Sequence, residues 1–201
     1  MAIKVANNQS MTGITALPSA ISGGGWTLLS TTSASSSATL SITSGIDDTY
    51  DVYCFNFIDM HPATDNVNFQ FNMSADSGSN YNVTKTSATF FANGTESGSG
   101  AQLAYSSGGD LAQSTGFQNL TDTVGNDADA SCSGTLFLYN PSDTAVVKHF
   151  ISRVTCYWSG NGPIDWYAHG YGNTTSAIDA VQFKMSSGNT DAGVIKLYGI
   201  S

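Results

Sequence analysis

From Asn66 to Met73 the chain alternates without a break. Val67, Phe69, Phe71 and Met73 are apolar, and Asn66, Asn68, Gln70 and Asn72 are amides. Only a β-strand sends successive side chains to opposite sides, so the pattern predicts a strand with one face in a core and one amide face. The turn formers Ser-Ala-Asp-Ser-Gly-Ser-Asn follow, and Tyr81 to Thr86 reads as a second strand. Together they predict a hairpin. The amide face would be covered by a neighbouring subunit in an assembled particle and open to solvent in an isolated domain.

Similar runs recur along the chain. Residues 26–32 start the domain, and 38–43 alternate and read as a strand. Tyr50 to Met60 is apolar on both parities and predicts a strand with two covered faces. Residues 87–130 are irregular and glycine-rich, and predict long loops at one end of the domain, with one helical turn starting at Leu111. Gly134–Tyr139 reads as a strand ending in the turn Asn140-Pro141-Ser142-Asp143. From Val146 to Trp158, Phe150, Val154, Cys156 and Trp158 share one parity, and His149, Ile151, Arg153 and Tyr157 the other. Asp165–Gly172 reads as a short aromatic strand. Ala177–Met185 and Val194–Ile200 read as a final pair joined by a turn. About ten strands with crossing loops predict an all-β fold, an antiparallel two-sheet jelly-roll-like sandwich over residues 26–201. A closed barrel and an immunoglobulin-like sandwich are the alternatives. Residues 1–25 lack a clear period and contain Pro18 and Gly23-Gly24-Gly25. They read as an extended N-terminal arm and glycine hinge, with Ile3, Val5, Met11, Ile14 and Leu17 available to grip a partner.

Composition sharpens this picture. The 201 residues include 28 Ser, 22 Thr, 21 Gly and 15 Asn, but a single Glu and a single Arg. Such a chain is poor in the residues that cover helix surfaces. Ten Phe, nine Tyr and three Trp argue against disorder. A net charge of −9 with six basic residues does not make a cationic track, so neither nucleic acid nor an anionic membrane is an expected partner. The first residues show no apolar h-region, so secretion through a signal peptide is not expected.

Chemistry-bearing motifs are sparse. Cys54, Cys132 and Cys156 each sit in a strand-like run and read as buried free thiols. His61, His149 and His169 stand apart, without metal-ligand spacing. No nucleophile elbow occurs, and the aspartates cluster in turns. Neither a cofactor nor catalysis is expected, although a small jelly-roll glycan hydrolase remains a formal alternative. Trp158, Trp166, Tyr167 and Tyr171 form an aromatic cluster that could stack on a sugar, or pack in a core or subunit contact.

Five segments carry a resemblance: LSITSGIDDTY (40–50), HPATDNVNFQFNMSADSGSNYNVTKT (61–86), LAQSTGFQNL (111–120), NPSDTAVVKHF (140–150) and KMSSGNTDAGVIKLYGIS (184–201). They resemble a family of structural proteins from tailed phages of marine bacteria. The resemblance implies a virion part assembled in the host cytoplasm. The leading expectation is a capsid decoration (cement) protein, bound to the major capsid protein and to itself as a homotrimer. The amides Asn66, Asn68, Gln70 and Asn72 and the arm would be its contact residues. The alternative is a tail-fibre or receptor-binding domain that recognises a host glycan through residues 93–130 and the four aromatics.

Overall fold

A computed structural model describes residues 25–201. Ile3, Val5, Met11, Ile14 and Leu17 of the expected arm lie outside the described residues. The described chain contains twelve strands: β1 (Trp26–Ser33), β2 (Leu40–Ile42), β3 (Val52–Pro62), β4 (Phe69–Ser74), β5 (Lys85–Asn93), β6 (Gln102–Tyr105), β7 (Gln118–Asn119), β8 (Cys132–Tyr139), β9 (Lys148–Trp158), β10 (Gly162–Gly172), β11 (Ala180–Met185) and β12 (Thr190–Ile200). All pairings are antiparallel. The strands form an eight-stranded sheet, β1-β12-β3-β8-β9-β10-β5-β6, and a four-stranded sheet, β2-β11-β4-β7.

The pairing is nested. β1 pairs with β12, β2 with β11, β3 with β8 and β4 with β7. This is the winding of a jelly roll, in which a long antiparallel ribbon is rolled into two facing sheets. The other four strands are insertions. β5 and β6 leave between β4 and β7, β9 and β10 leave between β8 and β11, and β5 pairs with β10. They widen one sheet only.

The core lies between the two sheets. Tyr53, Phe55 and Phe57 of β3 face Phe69, Phe71 and Met73 of β4 and Phe183 of β11, all buried. Phe57 meets Phe69 edge-on at 5.1 Å and Phe183 at 5.2 Å, and Phe71 meets Phe150 at 5.1 Å. Each such side chain contributes about 2–3 kcal/mol through burial.

The structure corrects several expectations. β4 and Tyr81–Thr86 do not form a hairpin, because the chain crosses here from the small sheet to the wide one. Val83 N donates to Met73 O, after which β5 begins at Lys85 and pairs elsewhere. Likewise β11 and β12 do not pair with each other but belong to different sheets. Two alternating runs joined by a turn look the same in sequence whether they pair or change sheets. The helical turn falls at Ser107–Gly109, not at Leu111. Residues 87–130 are not a set of loops at one end. They hold β5, β6 and β7, and the stretch from Ser106 to Val124 lies across the inner face of the widened sheet, burying Gln118, Leu120, Thr121 and Val124.

Candidate functional site

The strand expected from Asn66 begins only at Phe69, and the amides from Asn66 to Asn72 find partners inside the chain. Asn72 is fully buried, and its Nδ2 donates to Tyr81 O (2.6 Å) and Thr115 O (2.9 Å). Its Oδ1 accepts from Met73 N and from the Lys85 ammonium. Gln70 donates to Asn119 of β7, Asn68 accepts from Thr123 N, and Asn66 accepts from Ser159. The chain's own segments therefore bury Asn72, which is not available to a partner, while Gln70 and Asn68 stay half-buried and Asn66 exposed. Lys85, opposite Gly172 in the register, also donates to Val83 O. Its burial holds its pKa down to about 7. Lys148 flanks the same glycine from the other side, and desolvation lowers its pKa as well.

The outer face of the wide sheet is unlike the amide row. Leu28, Tyr198, Cys54, Phe137, Ile151, His169 and Ala88 are register partners across seven strands. The next outward row runs Lys196, Asn56, Thr135, Arg153, Tyr167, Phe90 and Tyr105. Trp26 meets Phe137 at 6.0 Å and Tyr198 at 5.6 Å. This lid explains why the Cys54 thiol is buried on the outward side and has its pKa pushed up to about 12. The lid's own Trp26 is 52 % exposed, and apolar groups farther along the face are open to solvent too, Ile151 at 51 % and Leu103 at 76 %. Charge is limited on these two rows, and Arg153 is held by Asp165 at 2.7 Å.

The four predicted sugar-stacking aromatics do not converge. Neighbours along a strand point to opposite faces, and Trp166 goes inward to 1 % exposure while Tyr167 goes outward. Trp166 stacks on Phe91 at 5.7 Å, with rings 6° from parallel. Tyr167 has both faces taken, by Phe90 at 4.6 Å and by the Arg153 guanidinium at 5.2 Å. Tyr171 lies near His149, at 6.2 Å. Trp158, at the inner end of β9, is half-buried against the core.

Trp158 does, however, line a second concavity. The wide sheet overhangs the small one, and where the covering segment ends a cleft of about 460 Å³ opens, walled by Phe91, Asn93, Gln102, Asp122, Trp158 and Ile164. Asn93 pairs with Gln102 on one side and Ile164 on the other. Burial raises the pKa of Asp122. Sequence reasoning reaches Trp158 and, within residues 93–130, Asn93, Gln102 and Asp122, but misses Phe91 and Ile164. The parity of Lys85, Thr89, Phe91 and Asn93 was a usable signal for the floor, but nothing local ties Gln102 or Asp122 to it.

The remaining reactive groups are structural. The three thiols are free and buried, and Cys132 opposes Cys156 on the next strand. Burial pushes the pKa of Cys132 up and that of Cys156 up to about 12, which suppresses the nucleophilic thiolate. His61 Nδ1 donates to Ala130 O at 2.6 Å. Among the described residues no three His, Cys, Asp or Glu side chains group in a way that could hold a metal ion. In comparisons with known proteins, no family model, no curated protein and no solved structure matches this chain.

Proposed function

We propose that the chain is a structural protein of a tailed-phage virion, of the head-decoration type, which docks through the outer face of its eight-stranded sheet. The exposed apolar band on that face supports this reading. Trp26 and Leu28 at one end of it, Phe90, Leu103 and Tyr105 at the other and Ile151 between are exposed, and apolar groups gathered on one face mark a surface that another protein covers. Eight strands at about 4.8 Å spacing span roughly 34 Å, a face broad enough to seat on another protein. The nested sandwich, the buried thiols and the acidic, hydroxyl-rich remainder suit a rigid, soluble, unreactive part. In this reading the major capsid protein covers the band, copies of the chain meet as homotrimers on the shell, and residues 1–25 supply a second point of attachment.

Fractionation of purified particles into heads and tails, with the chain followed by mass spectrometry, tests the proposal. The expected result is the chain on heads, with Ile151→Lys displaced from them at a lower salt or denaturant concentration than wild type. Presence on tails alone, or absence from particles, would overturn it.

A further inference from the structure

We propose that the cleft beneath the overhanging end of the wide sheet binds a neutral saccharide. The site lies on the inner side of that sheet, opposite the docking band, and requires neither head nor tail placement. It exists because the two sheets differ in width. The four-stranded sheet stops short of β5 and β6, and the segment from Ser106 to Val124 covers only part of the inner face left bare. At the end of that cover, Phe91, Ile164 and Trp158 make an apolar floor and wall, and Asn93, Gln102 and Asp122 stand around them.

The mix of groups selects the ligand. A pyranose ring presents C–H patches on its faces and hydroxyls at its edge. Aromatic side chains accept the first, and carboxamides and a carboxylate bond the second. No Lys or Arg lines the cleft, so a phosphate or uronate would meet Asp122 without a counter-charge. A purely apolar ligand would strand the amides and the carboxylate. The volume lies within the range of about 300–1,000 Å³ usual for small-ligand sites.

The walls are fixed in advance. The stack on Trp166 holds Phe91 from behind. Trp158 bridges to Val124, and Gly160 packs so closely on its ring that a Cβ there would come within 2.7 Å of it. A site that is already ordered loses less on binding. In addition, Asn93 Oδ1 and Thr123 Oγ1 are buried without a hydrogen-bond partner among the described residues. A polar atom left in that state is costly, and a ligand hydroxyl reaching either oxygen would relieve it.

Tryptophan fluorescence and saturation-transfer NMR, titrating the protein with lactose, maltotriose, mannotriose and chitotriose and with trigalacturonate as the acidic comparison, test the assignment. The expected result is saturable binding of at least one neutral sugar. Gln102→Ala and Asp122→Asn should each weaken it by about tenfold, the loss of one hydrogen bond to the ligand, with an unchanged melting temperature. Tyr167→Ala, on the opposite face, should leave the affinity as it is. No saturable signal from any neutral sugar would overturn the proposal. So would binding confined to trigalacturonate, or affinity insensitive to both cleft variants. Trp158→Ala is not used alone, because that ring also packs on the core.

Discussion

At the scale of the residue, Lys85 stands out, a fully buried amine whose oxygen partners are an amide and a main-chain carbonyl. Burial lowers its pKa in the folded state from 10.5 to about 7. Below about pH 7 both states hold the proton, and the penalty for the buried charge is present in full. Between that value and 10.5 the unfolded chain keeps a proton that the folded chain has released, so stability climbs with pH. The thiols act in the opposite sense. Their folded pKa values lie above the ordinary 9.0, so they begin to subtract stability above about pH 9. The lowered carboxylates Asp47, Asp76 and Asp143 finish titrating far below this window. Urea unfolding from pH 6 to pH 9 should therefore show a rising free energy, and Lys85→Met should flatten the rise. An equal slope in the two proteins would place the proton elsewhere.

At the scale of the element, β4 carries the lesson. Its two-residue period showed which side chains lie together, and the apolar half forms the core as that period requires. The period did not say that Asn72 alone of the amide half would be buried, and what covers it is the segment that brings β7 and Thr115. Asn72→Leu should thus cost more than about 3 kcal/mol, since it strands several buried partners at once. Gln70→Leu, half-buried and bonded to Asn119 alone, should cost under about 1 kcal/mol. Comparable small losses at both positions, read by thermal or urea unfolding, would mean that the face is open. The same limit explains the rest of what the sequence concealed. The parity of β9, from Phe150 to Trp158, was legible because it is local, whereas of the two covered faces expected for β3 only the inner one is covered throughout, the outer being buried at Cys54 and half-open at Val52, Asn56 and Ile58. The partners of β5 and β12 were not legible, because alternation fixes a face and leaves the neighbouring strand unspecified. Two-residue β7 is too short to show a period at all. The cleft was invisible for a related reason, as Gln102, Asp122 and Trp158 come from three separate parts of the chain and meet only through sheet order. The split between Trp166 and Tyr167, in contrast, follows from their adjacency.

At the scale of the whole molecule, the nested pairing makes most ladders long-range, from β4·β7 at the centre to β1·β12 at the rim, with β5·β6, β8·β9 and β9·β10 the pairs of consecutive strands. Loop closure must then be met before most contacts form, which places folding among the slower all-β domains, in the range of milliseconds to seconds. The widening of one sheet has two results at once: an outer face broad enough to seat on a shell, and an overhang that leaves a cleft on the inner side. The rim pairing also bears on how the chain could be rewired. Trp26 and Ile200 are register partners on adjacent strands, so the two ends of the sandwich lie side by side. A short linker from Ser201 to Gly25 would close the chain into a ring without disturbing a strand, and new ends could be opened in the exposed Gly98–Gly100 turn. Such a circular permutant should fold and melt close to the parent lacking residues 1–24, as thermal unfolding of the two would show. Gly25 and Ser201 are a ready pair of fusion points, since groups joined directly to them emerge together at the β1 edge.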